Sequence, residues 1–242
     1  MDRIETPERR LLIEEVWVVL ALSFLPSAVY AIRSLIRAPV AGIVVAAANR
    51  SENFLDQLLP FVFDLAPVWL VIYLVRREGI GMRAFGFSGD RLARDAGAGV
   101  GLFLLVGAAG IAVYLGAVEL GVNRFVVPAP PEGYWWTWLA VLMHGVAAGL
   151  VEETIVLAYL ITRLERIGWS VAAAVAASAV FRASYHLYQG WGGFLGNLAM
   201  GVLFGVLFVR MRRAWPFVLA HVLVDVGAAA GFLLFEEHLP GF

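Results

Sequence analysis

Cysteine is absent from the 242 residues, which excludes disulfides, thiolate nucleophiles and cysteine-ligated zinc, so any metal site would have to use His and carboxylate ligands. Lysine is absent too, so all 18 basic residues are arginine. Charge itself is scarce at 15% of residues, with a net value of -1. That leaves no basic surface for nucleic acid, and no nucleic-acid partner is expected. What the chain has instead is apolar: 61% of residues are hydrophobic and the mean hydropathy is +0.82, well above a soluble domain of this length. The expected partner is the lipid bilayer.

Seven apolar segments stand out, at 16–32, 57–73, 96–116, 135–161, 169–187, 194–209 and 215–235. Each approaches or reaches the roughly 20 residues that cross a hydrocarbon layer. Each is read as a helix, because an open strand cannot satisfy its backbone in lipid. A shorter run at 39–48 is too brief to span and is either re-entrant, interfacial or part of an eighth helix. The fold class is therefore all-α, a polytopic transmembrane bundle of seven to eight spans, with no repeat or linker to divide the single integral membrane domain 1–242. Arg3, Arg9 and Arg10 precede the first span, but Glu14 and Glu15 interrupt the entry and no small-residue cleavage site follows, so the span is read as uncleaved. Arginines crowd three loops: Arg76 to Arg94, Arg163 with Arg166, and Arg210 to Arg213. The positive-inside rule puts those loops and the N-terminus in the cytoplasm and the segment 236–242 outside, in a multi-pass protein of the plasma membrane. Arg33, Arg37 and Arg50 fall on the other side. Trp135, Trp136, Trp138, Trp169, Trp191 and Trp215 lie at or near span ends, where interfacial aromatics belong.

Seven ionisable residues lie inside the spans: Asp64, Glu152, Glu153, Arg182, His186, His221 and Asp225. At about 2.5 to 3.5 kcal/mol for an Asp or Arg at a helix centre, the charged ones cannot face lipid and must turn inward. Interhelical polar contacts would account for any one of them alone. Clustering points further, since all but Asp64 sit in the C-terminal half on three helices. Arg182 and His186 are one turn apart, as are His221 and Asp225, so each pair shares a face. A buried carboxylate beside imidazoles is what acid–base chemistry on water requires. An ion relay of a transporter uses the same residue types, although no repeat symmetry between the halves supports one. His144 is read as a helix-packing histidine, and His238, in the tail, is given no role.

The stretch VEETIVLAYLITRLERIGW with Glu152 and Glu153, FRASYHLYQG with His186, and AHVLVD with His221 and Asp225 resemble, in order and spacing, the three motifs of the CPBP family. This family, also called Abi, groups CAAX prenyl endopeptidases with bacteriocin-processing and immunity proteins. The resemblance covers about 135–231. It implies a helical bundle with a cavity opening toward the cytoplasm and an intramembrane endopeptidase, a CAAX-type metalloendopeptidase by class, acting on a membrane-associated peptide or protein. In that picture Glu152 and His186 activate a water, while His221 and residue 225 stabilise the oxyanion. Glu153 belongs to the same site, and Asn197 sits where such proteins often carry a polar residue. The cofactor is either zinc, held by Glu152, His186 and His221, or none. A non-catalytic relative acting as a membrane chaperone or immunity protein is the alternative. Two positions depart from the motifs: Leu157 replaces the usual arginine of Glu-Glu-x-x-x-Arg, and Arg182 replaces the usual phenylalanine four before the histidine. Both are explained if one positive charge has moved, which predicts that Arg182 pairs with Glu153. Depth is the difficulty. At 1.5 Å per residue His186 lies roughly 24 Å beyond Ser170, whereas Glu152 lies roughly 16 Å from Arg163, so tilt or a later start of the fifth helix is needed to join them.

Overall fold

A computed structural model of the chain describes residues 6–37, 43–45, 51–128 and 130–235. Parts of the run at 39–48, Arg3, Arg50, the tail 236–242 and with it His238 lie outside the described residues. The chain forms helices α1 (Thr6–Leu22), α2 (Leu25–Arg37), α3 (Phe54–Asp64), α4 (Ala66–Arg77), α5 (Leu92–Glu119) and α6 (Thr137–Glu152). A π-helical segment (Glu153–Tyr159) continues α6 directly into α7 (Leu160–Ile167), followed by α8 (Val171–Tyr185), α9 (Trp191–Met211) and α10 (Trp215–Phe235). Two three-residue strands, β1 (Ile43–Val45) and β2 (Phe125–Val127), pair in parallel, with Val44 opposite Val126.

The architecture is the expected all-α polytopic one, and five to six helices meet the length and composition of a span against the seven to eight expected. Five helices are long and apolar enough to cross a bilayer, namely Phe54–Arg77, α5, Thr137–Ile167, α9 and α10, and the bent pair α1 and α2 makes a sixth if taken as one span. The two runs that differ have physical reasons. The first bends by 55° between Leu22 and Leu25, where the Ser23 hydroxyl donates to the Val19 carbonyl at 2.7 Å and Pro26 occupies the first turn of the next helix. The other, α8, has 15 residues, or about 22 Å, against a core of about 30 Å.

Close approach of α6 to α10 and of α8 to α9 builds the centre. A Cβ added at Gly145 would meet Val226 Cγ2 at 2.8 Å, and one at Gly149 would meet Val222 Cγ2 at 2.7 Å and the Val218 carbonyl at 3.0 Å. Gly201 and Gly205 face Ala179 and Val175 of α8 in the same manner. These are two small-x-x-x-small faces, the spacing that lets membrane helices approach to backbone contact. Between them lies the π-helical segment, every residue of which is buried.

One end of the bundle carries a belt of arginines tied together across the chain. Arg9 donates to the Ile167 carbonyl at 2.9 Å. Fully buried Arg163 reaches Glu15 at 2.8 Å and Glu78 at 2.5 Å, with its guanidinium over the rings of Phe85 and Tyr159. Arg212 pairs with Glu165, and Arg213 with Asp95 and Asp90. The N-terminal helix, the 76–95 loop, the turn after α7 and the segment 210–213 thus share one face, as the arginine distribution predicts.

Glu78 closes α4 at this end. Burial pushes its carboxyl upward, but the Arg163 and Arg166 guanidiniums prevail and hold it below the usual glutamate value. A depressed folded value means that the pair adds stability above the ordinary glutamate range and loses it as pH falls through the folded value. Thermal unfolding in detergent should therefore show an acid-dependent drop that Glu78→Gln removes. Equal acid sensitivity in both proteins would contradict this role.

Candidate active site

Glu152 ends α6 and Glu153 opens the π-helical segment, so consecutive carboxylates enter the core side by side; π segments inside α-helices often occur at such sites. Both are buried, Glu153 completely. Arg182 comes from α8, itself 1% exposed, and its Nη2 donates to Glu153 Oε1 at 2.6 Å while its Nη1 lies 3.4 Å from Glu152 Oε2. That is the pairing predicted from the two departures in the motifs. The charge absent at Leu157, which is buried in the apolar core, is supplied by the neighbouring helix.

His186 caps the C-terminus of α8. Its Nε2 faces Glu152 Oε2 at 3.7 Å and has no hydrogen-bond partner in the protein, while Nδ1 lies 3.2 Å from Gln189 Nε2. The depth mismatch inferred from residue counts therefore does not keep the two apart. On α10, His221 places Nδ1 2.6 Å from Glu153 Oε1 and turns Nε2 toward Asp225, 3.6 Å from Oδ2. Glu152, Glu153, Arg182, His186, His221 and Asp225 thus form one connected cluster drawn from three stretches of helix.

The cluster has two layers. Arg182, Glu153 and His221 form the deeper one, with side chains 2%, 0% and 6% exposed, while Glu152, His186 and Asp225 form the shallower one at 10%, 15% and 41%.

Tyr185, which the sequence did not single out, belongs to the same cluster. Its hydroxyl donates to Glu152 Oε2 at 2.8 Å, and its ring stacks on Phe24 at 4.6 Å between centroids. A signal was available, since a tyrosine deep in a span needs a partner for its hydroxyl. Asn197 instead donates to the Gly193 carbonyl of its own helix at 2.9 Å. His144 contacts Gln57 at 3.0 Å, a packing role between α3 and α6. Asp64 is exposed at the junction of α3 and α4, separate from the cluster.

The zinc set does not assemble. Among the described residues no three His, Asp or Glu side chains converge as metal ligands: Glu152 and His186 face each other, while His221 is engaged with Glu153 through Nδ1. As placed, these residues do not present a preformed metal centre.

Residues 134–227 match the family model described as Type II CAAX prenyl endopeptidase Rce1-like. Neither the curated proteins nor the solved structures yield a match. The matched range contains every member of the cluster and nearly coincides with the range over which the three motifs resemble CPBP proteins. Over residues 134–227 the chain is similar to the Rce1-like type II CAAX prenyl endopeptidase family.

Proposed function

We propose that this protein is an intramembrane endopeptidase that hydrolyses a peptide bond in a membrane-associated peptide or protein. The observation that carries the reading is the facing pair Glu152 Oε2 and His186 Nε2, 3.7 Å apart inside the bundle. A water in hydrogen-bond reach of both is oriented by the imidazole and gives its proton to the carboxylate as it attacks the carbonyl carbon. The proton then passes to the departing amine. His221 is the donor to the oxyanion through Nε2, which lies 3.6 Å from Asp225 and so is not held by a hydrogen bond to it. That role requires a proton on Nε2. Arg182 neutralises the second carboxylate, so that two adjacent glutamates coexist in the low dielectric.

A non-catalytic membrane-binding role is the second reading. Tyr185 and Arg182 both approach Glu152 Oε2, so the oxygen that would take the water's proton already has two partners. The N-terminus and arginine belt are cytoplasmic in either reading, by the positive-inside rule.

Purified protein in proteoliposomes, supplied with membrane-anchored peptides of varied sequence and read by mass spectrometry for new termini, separates the two. Asp225→Asn refines the assignment. An amide still hydrogen-bonds, so turnover should persist within about tenfold, whereas Asp225→Ala should lose considerably more, on the order of the contribution of one oxyanion donor. Equal losses in the two variants would show that the carboxylate charge itself is needed.

A further inference from the structure

We infer that the exposed face of α4 at the arginine belt binds one anionic phospholipid, with its phosphate on Arg76 and Arg77 and an acyl chain laid along Trp69, Ile72 and Tyr73. The site uses none of the residues of the Glu152 cluster and does not depend on the peptidase reading.

Helix α4 closes the apolar stretch Phe54–Arg77 with two consecutive arginines. Counted from Trp69, the residues Ile72, Tyr73, Arg76 and Arg77 follow at three, four, seven and eight positions, so all five fall on one stripe of the helix. There they line a groove of about 420 Å³. The stripe is graded along its length, with aromatic and aliphatic side chains toward the interior of the span and guanidiniums at its end. From Trp69 to Arg77 it covers about 12 Å, most of one leaflet of a hydrocarbon core about 30 Å thick. An amphipathic molecule one leaflet deep fits that grading.

The rim of the groove carries uncompensated charge. Glu78, the next residue along, is taken by Arg163 and Arg166, and Arg163 is shared with Glu15. Arg212 and Arg213 are likewise committed to Glu165, Asp90 and Asp95. Arg76 and Arg77 are exposed, and among the described residues neither has a hydrogen-bond or ion-pair partner. Guanidiniums of this kind match phosphate oxygens, which they meet bidentately. The groove as a whole selects among occupants. Water would leave the wall of Trp69, Ile72 and Tyr73 wet, and a free phosphate would use the rim while leaving the wall bare. A zwitterionic lipid brings its own cation to a rim that already has two. A phospholipid of net negative charge satisfies both parts, and the end of a span, where arginines and aromatics gather, is where its headgroup lies.

The test titrates full-length protein in detergent with phosphatidylglycerol or with phosphatidylcholine of the same acyl chains, and reads bound lipid by native mass spectrometry. The wild type should retain one phosphatidylglycerol in preference to phosphatidylcholine. Arg76→Gln combined with Arg77→Gln should weaken phosphatidylglycerol roughly 30-fold, about fivefold for each arginine near an anionic surface, and phosphatidylcholine far less. Neither side chain has a partner to lose, so this variant should unfold at the wild-type temperature in the absence of added lipid. Trp69→Ala should also weaken phosphatidylglycerol, and glycerol phosphate should not displace it, because the wall contributes. Arg94→Gln combined with Arg210→Gln removes two other exposed arginines without partners, outside the groove, and should leave the preference as in the wild type. Equal losses in the two double variants would overturn the site, since the preference would then belong to the charge of the whole face. Displacement by glycerol phosphate would overturn the lipid as occupant, and a wild type that holds both lipids equally would overturn the role of the two arginines.

Discussion

Replacing Glu152 by alanine should abolish hydrolysis, with a fall in turnover of about 10²- to 10⁴-fold, the range for removal of a positioned general base. His186→Ala and His221→Ala should cost comparably, and any pair of these changes should cost little more than one, because all three act on a single water and a single oxyanion. The geometry warns against alanine alone. Glu152 accepts the hydroxyl of buried Tyr185, and leaving that group unpaired destabilises by about 1 to 3 kcal/mol in itself. Glu152→Gln keeps an acceptor for Tyr185 and removes the base. It should therefore be as inactive as Glu152→Ala while unfolding close to the wild-type temperature. A Glu152→Gln protein that retains most of its turnover would remove Glu152 from the chemistry.

Arg182→Phe, which installs the usual residue of the second motif, should destabilise the protein by about 3 to 5 kcal/mol, the cost of breaking a buried ion pair. It leaves Glu153, with no exposed surface, without its guanidinium, and it removes the partner of Glu152 at 3.4 Å. Adding Leu157→Arg should restore much of the loss. Position 157 lies four residues after Glu153, on the same face and buried beside it, and the phenylalanine at 182 fits the surface already made by Phe204, 5.9 Å from the guanidinium. A double mutant no more stable or active than Arg182→Phe would show that the two departures from the motif are unrelated.

The pairing of Arg182 with Glu153 was legible in the sequence because buried charge must balance, and the balance could be struck between only a few residues. The apolar runs marked the helices for the same kind of reason, since twenty lipid-facing residues leave little choice of composition. What escaped was local geometry. The bend at Ser23 is hidden inside one continuous apolar run, with Pro26 its only marker. The π-helical turn after Glu152 has no signature in a segment that is buried on every side. Tyr185 passed as an ordinary helix residue because its role depends on which carboxylate lies across the helix interface. The pairing of β1 with β2 joins residues 82 positions apart, and neither three-residue strand stands out from its surroundings.

The central claim, that Glu152 and His186 activate a water for peptide hydrolysis within the membrane, is tested most directly by comparing wild-type protein with Glu152→Gln in the same proteoliposomes. Both are given the same membrane-anchored peptides, and new termini are counted by mass spectrometry. The wild type should generate new termini that the folded Glu152→Gln protein does not. New termini at equal yield from both proteins, or from neither, would contradict it.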